Sequence, residues 1–552
     1  MRGSLMLRWG LIAGLLASCS WTATTPEPEP KETRKGGGGR SGKAAMASKA
    51  DLVHADPNRP VPTGKPNVLV IVWDTVRADH LSTFGYDLAT TPGLDAWAKE
   101  ARVYENAISP GMWTLPSHAS LFTGLPESSH GANAEHHWLD KRFLTVSETF
   151  LDAGWSTFLY AANPYLQDHT NLGQGFETRE FPTDDKWRKK AKKATMSKVL
   201  PNDASNTLGP AYVPGRFPSG RSGDKTKDSG PVSGEALAAW LDERPDKQRP
   251  FFAVLNMMEA HVPRIPSLES RKALFSEADI AKQLAFDESY GELLAYTVDL
   301  REFTPDELRT LVQVYDAALR DLDAATTAII EGLKQRGLLD NTIVVLTADH
   351  GEHLGDHHRA DHKFSLYDAL VHVPLVIRYP GKVPAGRDPG VVSNLDVYAT
   401  LTELAGLSMP EGTLSQSLLR ADRGEAVYAE LAEPTRLVFD RMKKVVPTFD
   451  TKPWERTYDA VVTQDLKCII RSDGNKELYS RATDPEEKVD LSPQRAAEVQ
   501  ALCDRIAAWK ATFPKYDPSK ADKSEGPEAL TDEVKKQLED LGYLSGEEEK
   551  PH

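Results

Sequence analysis

Asn67-Val68-Leu69-Val70-Ile71-Val72-Trp73-Asp74 is a short apolar run that ends on a carboxylate. Two later runs share this design. Phe251-Phe252-Ala253-Val254-Leu255 leads through Asn256 and Glu259 to His261, and Thr342-Ile343-Val344-Val345-Leu346 leads to Asp349 and His350. Continuous apolar runs of this length predict strands buried on both faces, hence a mostly parallel sheet covered by helices. Open α/β sheets place their sites beyond the carboxyl ends of such strands. Asp74, His261, Asp349 and His350 are therefore expected to meet at one sheet edge, although they lie far apart in the chain.

A further stretch supplies a hydroxyl. In Thr114-Leu115-Pro116-Ser117-His118-Ala119-Ser120-Leu121-Phe122-Thr123-Gly124, Pro116 suits a first helical turn and Gly124 suits a helix end. A helix N-terminus offers free N–H groups and a positive dipole end to an anionic ester. Thr114 is then either an ordinary N-cap or a nucleophile beside two groups of hard metal ligands. The second choice describes an enzyme that attacks an anionic ester with a metal-activated oxygen.

These segments resemble the sulfatase branch of the alkaline phosphatase superfamily, over roughly residues 65–545. The stretch 66–81 is similar to the family's opening strand and first metal ligand, and 332–342 with 347–352 to its second metal segment. His372-Val373-Pro374-Leu375-Val376-Ile377-Arg378 and Leu541-Gly542-Tyr543-Leu544 are also similar to family sequences. The resemblance implies an α/β sandwich with a large, mostly parallel sheet covered by helices and a small C-terminal antiparallel sheet subdomain. It implies one divalent metal ion held by Asp74, Thr114, Asp349 and His350. Three oxygens and one imidazole suit zinc or manganese ahead of calcium or magnesium. His261 matches the family histidine that contacts the substrate's anionic group, Lys363 matches a family lysine, and His362 matches a histidine of threonine-type members. Asn163 and Tyr165 stand where sulfatases carry a lysine and a histidine. Asn163 is a substrate-side candidate and Tyr165 reads as packing. His353, His357 and His358 crowd the second metal loop, and one of them is a candidate neighbour of the ion.

One departure sets the chemistry. Sulfatases carry Cys-x-Pro-Ser-Arg, whose cysteine or serine is oxidised to formylglycine. Here Thr114 and His118 occupy the cysteine and arginine positions. Oxidised threonine would be a methyl ketone, which hydrates poorly, so no formylglycine mechanism is expected. Lipoteichoic acid synthase and phosphoethanolamine transferases of this superfamily use a threonine nucleophile. The expected activity is therefore a hydrolase or transferase acting on a phosphoester through Thr114, with His118 and His261 as catalytic partners. A sulfuric ester hydrolase is the alternative. An inactive module that binds anionic ligands is the rival from another class, and the presence of Asp74, Asp349 and His350 weighs against it.

A chain of 552 residues with 40% hydrophobic content can bury one large domain and a smaller one. Its net charge of −15 argues against nucleic acid as a main partner. The resemblance implies an anionic small-molecule, glycan or lipid ester as substrate. Residues 1–18 read as a lipoprotein signal peptide: Arg2 and Arg8 precede an apolar run from Trp9 to Ala17 that is too short to span a membrane. Leu16-Ala17-Ser18-Cys19 resembles a bacterial lipobox, which implies diacylation of Cys19, export to the bacterial cell envelope and a membrane anchor. Residues 19–64, with Pro26-Glu27-Pro28-Glu29-Pro30 and Gly36-Gly37-Gly38-Gly39, read as a disordered tether that spans roughly 40 Å.

The catalytic domain is expected over 65–410 and the C-terminal subdomain over 411–552. Leu308, Val312, Tyr315, Leu319, Leu322, Thr326, Ile329 and Leu333 form a helical stripe with one polar member, which predicts a helix lying on the sheet. Residues 183–232, with Lys186, Arg188, Lys189, Lys190, Lys192 and Lys193, read as a surface insertion, a solvated charged loop ahead of a basic lid over an anionic substrate. The pairing of Cys468 and Cys503 stays open.

Overall fold

The apolar runs become central strands because both of their faces are covered. The computed structural model describes residues 59–199, 226–288, 290–434, 446–521 and 530–540, with 438, 439 and 443. The signal peptide, Cys19, most of the tether and the Leu541–Leu544 stretch lie outside the described residues. In chain order the strands are β1 (Asn67–Trp73), β2 (Arg102–Ile108), β3 (Ser156–Ala161), β4 (Thr178–Glu180), β5 (Phe251–Met257) and β6 (Thr342–Ala348). A two-residue hairpin follows, β7 (His353–Leu354) and β8 (Ala360–Asp361), then β9 (His372–Arg378) and β10 (Gly386–Ser393). Eight of these form one sheet in the order β10-β2-β9-β6-β1-β5-β3-β4. Only β9 runs antiparallel to its neighbours.

The register decides where the site forms. Trp73 pairs with Met257 on one side and Ala348 on the other, so β1, β5 and β6 end level with one another. Asp74, Met258 and Asp349 are the next residues of the three strands. No residue of β1 is more than 6% exposed, as expected of a strand covered on both faces.

The helix Pro305–Gln335 covers one face. Thr304 caps it in a capping box with Glu307, and Pro305 takes the first turn. Its predicted stripe faces inward, with Leu308 and Val312 half-buried and the other six members buried. The polar member, Thr326, accepts a hydrogen bond from Trp73 Nε1 at 2.9 Å, so the hydroxyl satisfies a buried indole donor.

A separate antiparallel sheet holds β11 (Ala426–Leu431), β12 (Tyr458–Thr463), β13 (Leu466–Arg471) and β14 (Lys476–Ser480) in that order. The helix Ala496–Lys510 packs Val499, Leu502 and Ile506 against Val461, Cys468 and Leu478. Cys468 and Cys503 are free thiols within this cluster.

The 183–232 stretch corrects the sequence reading in part. Lys186, Lys189, Lys190, Lys192 and Lys193 are exposed, as a solvated charge run would be. Yet Arg188–Val199 is a helix, and Trp187, Ala191 and Thr195 are buried along one face. The four-residue spacing of that face was hidden by the lysines around it. Lys198 and Lys227 are drawn inside, where they meet buried carboxylates.

Candidate active site

The level ends of β1 and β6 bring three candidate ligands together. Asp74, Asp349 and His350 are all buried and offer ligand atoms within 4.8 Å of one another. Asp74 Oδ2 accepts from Asn163 Nδ2 at 2.9 Å and Asn256 Nδ2 at 3.2 Å, while its Oδ1 has no hydrogen-bond partner. Asp349 Oδ1 accepts the backbone N–H of His350 at 2.9 Å and of Thr75 at 3.2 Å, and its Oδ2 is likewise bare. His350 Nδ1 lies 2.9 Å from Gly351 O and so must be the protonated nitrogen, which leaves the Nε2 lone pair facing the cluster. Burial is the main cause that raises both carboxylates, Asp74 to about 6, even though Asn163 and Asn256 pull it down; Asp74 also raises Asp349. Burial holds His350 neutral. Two crowded carboxylate oxygens without donors, beside a neutral imidazole nitrogen, fit a divalent cation.

Thr75 follows Asp74 in a left-handed turn. Its φ of 62° is unusual for a β-branched residue, and the turn sends its backbone N–H, not a side chain, toward Asp349. Its hydroxyl goes to Asp74 O at 2.7 Å.

Thr114 is the first residue of the helix Thr114–Thr123, whose cap position is Trp113, so Thr114 is not the N-cap. Its Oγ1 lies 3.5 Å from His350 Nε2 and accepts from Asn163 Nδ2 at 3.3 Å. The helix ends at Gly124, whose φ of 66° and close approach to Thr413 admit no side chain. His118, one turn on, donates through Nδ1 to Thr114 O at 2.9 Å and stands 3.4 Å from Asp349 Oδ2. Burial lowers it to about 4.

The remaining candidates divide. His261 and His362 stand with ring centroids 5.1 Å apart, and His362 is 4.7 Å from the His350 ring. His362 Nδ1 sits 2.8 Å from Asp361 and 3.1 Å from Glu352, and its Nε2 is buried without a partner. Burial would lower its pKa, but those two carboxylates outweigh it and raise the imidazole to about 9. The two carboxylates thus favour a protonated imidazole beside the cluster. Burial, with His362 and Lys227 nearby, keeps His261 neutral.

Lys363 points its ammonium at Asp361 Oδ2, 2.7 Å away, and over the Tyr290 ring. Asn163, read as a substrate contact, is instead committed to Asp74, Thr114 and the Tyr165 N–H. It fixes Asp74 and Thr114 to each other. Tyr165 packs edge-on against Trp113, as its packing reading implied.

The loop histidines stay out of the cluster. His353 bonds Ser365, His357 stacks on Tyr367, and His358 pairs with Asp299. Sequence reasoning also missed Asn256. It holds Asp74 and accepts the N–H of Asn163 at 2.9 Å, and its only signal was a polar residue inside an apolar run.

Comparison with known proteins gives the family and the fold. The family model described as Sulfatase matches residues 66–407, and that described as N-sulphoglucosamine sulphohydrolase, C-terminal, matches residues 355–509. Arylsulfatase K of Bos taurus is 25% identical over 488 residues, covering 82% of this chain and 83% of its own. A solved structure in complex with its substrate D-glucosamine-2-N,6-O-disulfate superposes with a TM-score of 0.61 at 18% identity, covering 83% of this chain and all of the other. The phosphonate monoester hydrolase of Agrobacterium radiobacter gives 0.63 at 21% identity, covering 81% and 96%. Because the first family model spans well over half of the sequence, the chain belongs to the sulfatase family of hydrolases, metal-dependent members of the alkaline phosphatase superfamily.

Proposed function

We propose that this chain hydrolyses an anionic ester with Thr114 Oγ1 as nucleophile, at a divalent ion held by Asp74, Asp349 and His350. The observation that carries the reading is Thr114 Oγ1 standing 3.5 Å from His350 Nε2, in the same buried cluster as the bare Asp74 Oδ1 and Asp349 Oδ2. Such an ion supplies Lewis acidity toward the nucleophile and the transferred group. Asn163 orients Thr114 and Asp74 together. The charged His362 offers its Nε2–H to an ester oxygen, and neutral His261 is suited to move a proton at the leaving group or the attacking water.

The substrate class rests on two opposed considerations. The relative described above is named a sulfatase, as is the ulvan-active sulfatase of Formosa agariphila at 26% identity. On relatives alone a sulfate ester is better supported than a phosphoester. The nucleophile argues the other way. A sulfated threonine lacks the second hydroxyl whose ionisation expels sulfate from a hydrated aldehyde, whereas a phosphothreonine is resolved by water attacking phosphorus. We therefore expect nitrophenyl phosphate or its diester to turn over faster than nitrophenyl sulfate with zinc or manganese added. A phosphoryl group should appear transiently on Thr114 in intact-mass analysis. A clear preference for the sulfate would return the chain to sulfuric ester hydrolysis.

We further propose that the enzyme is lipid-anchored in the bacterial envelope through Cys19. No described helix is long and apolar enough to cross a membrane. Acyl chains contribute about 0.8 kcal/mol per buried methylene, enough for two or more chains to hold a protein at a bilayer. Membrane-fraction protein should carry lipid mass on Cys19, and Cys19→Ser should release it. A Cys19→Ser protein that stays membrane-bound would overturn the anchor.

A further inference from the structure

The turn that carries His261 is held by two buried cations, one of which comes from the stretch that reads as a surface insertion. After β5, Met258 O accepts the His261 N–H at 3.0 Å and also Lys227 Nζ at 2.8 Å. Ala260 O accepts Arg264 Nε at 2.7 Å. Arg264 is anchored by Glu352 at 2.7 Å and Glu288 at 3.1 Å. Lys227 is only 3% exposed and is paired with the fully buried Asp228.

The contacts continue beyond the turn. Lys198 Nζ reaches Asp321 at 2.9 Å, Asp228 at 3.5 Å and Glu259 at 3.9 Å. Glu259 Oε1 accepts the Gly230 N–H at 2.7 Å, and a Cβ on Gly230 would lie 2.6 Å from that oxygen. The start of the helix Gly230–Glu243 therefore sits directly on the turn. Glu259 is two residues from His261, so the arrangement fixes the chain on the side of His261 that leads back to the sheet.

We propose that Lys227 is a positioning residue for the reaction: its ammonium, clamped on Met258 O and balanced by Asp228, fixes the turn that aims His261 at the ester. This rests on the catalytic assignment of His261 made above. Burying a lysine is unfavourable unless it is paired and hydrogen-bonded, and here the chain meets that cost beside the site. A structural salt bridge could be met by any paired residues. Lys227, however, shares its acceptor, Met258 O, with the His261 backbone N–H.

The test uses the full-length, metal-loaded enzyme and whichever nitrophenyl ester it turns over best. Lys227→Met should lower kcat by on the order of 100-fold, the effect of a misplacement near 1 Å, with KM changed by less than about threefold. Lys227→Arg should recover most of kcat, because it keeps the cation. Lys227→Met leaves Asp228 buried with less compensation, so Lys227→Met/Asp228→Asn removes both charges and separates folding from catalysis. That double variant should melt close to wild type and remain slow. A double variant with kcat within twofold of wild type would reduce Lys227 to a structural ion pair and overturn the proposal. Failure of the His261 assignment shows separately, as kcat retained by His261→Ala.

Discussion

Thr114→Ala is expected to lower turnover by on the order of 10⁴-fold or more, the scale seen when an enzyme loses its nucleophile. The fold should tolerate the change. Thr114 is fully buried, but its hydroxyl makes only the 3.3 Å and 3.5 Å contacts with Asn163 and His350, and no cap depends on it. The lost hydrogen bonding is worth about 1 kcal/mol. Metal content should stay near wild type, since Asp74, Asp349 and His350 remain. Thr114→Ser keeps the oxygen and loses the methyl group that restricts χ1, so it should retain a measurable fraction of activity. Initial rates and metal analysis on the same preparations decide the matter. If the alanine variant works at near wild-type rate, the attacking oxygen is water and not Thr114.

The sheet was legible because its central strands have no polar face. β1, β5 and β6 are continuous apolar runs, and such runs have little choice but the middle of a covered sheet. The candidate ligands were legible for the same reason, as polar residues just past buried strands that end level. What stayed hidden depends on contacts no local pattern encodes. Asn256 looked like an interruption until the β1–β5 register set it beside Asp74. Asn163 sat at the correct edge, but only space decides that its amide serves Asp74 and Thr114. Lys227 lay in a Lys/Gly/Ser/Pro-rich stretch where burial is the improbable outcome. His353, His357 and His358 follow the second ligand pair closely in sequence, which suggested the ion. Left-handed backbone at Gly355, His357 and His358 turns that loop away, and Tyr367, Ser365 and Asp299 take the rings.

Asp349→Asn and His350→Ala are expected to lose bound metal and activity together, by more than about 100-fold in affinity, because even supporting residues around a bound metal are worth 10- to 100-fold. The asparagine variant is the sharper of the two. Its Oδ1 can keep the backbone donors of Thr75 and His350, so the turn should survive. Its amide nitrogen would then replace the bare Oδ2, putting a donor where the ion needs an acceptor. It also removes one of two crowded, buried carboxylates, so the metal-free variant should be at least as stable as the metal-free wild type. Thermal melts separate these effects. Wild type should gain about 2.7 kcal/mol when zinc or manganese is present at 100 times its Kd, and Asp349→Asn should gain almost nothing. Full metal occupancy in both variants would remove Asp349 and His350 from the ligand set. A metal-free Asp349→Asn protein less stable than metal-free wild type would show instead that the carboxylate is held by protein contacts and that the bare Oδ2 is not a vacancy for a cation.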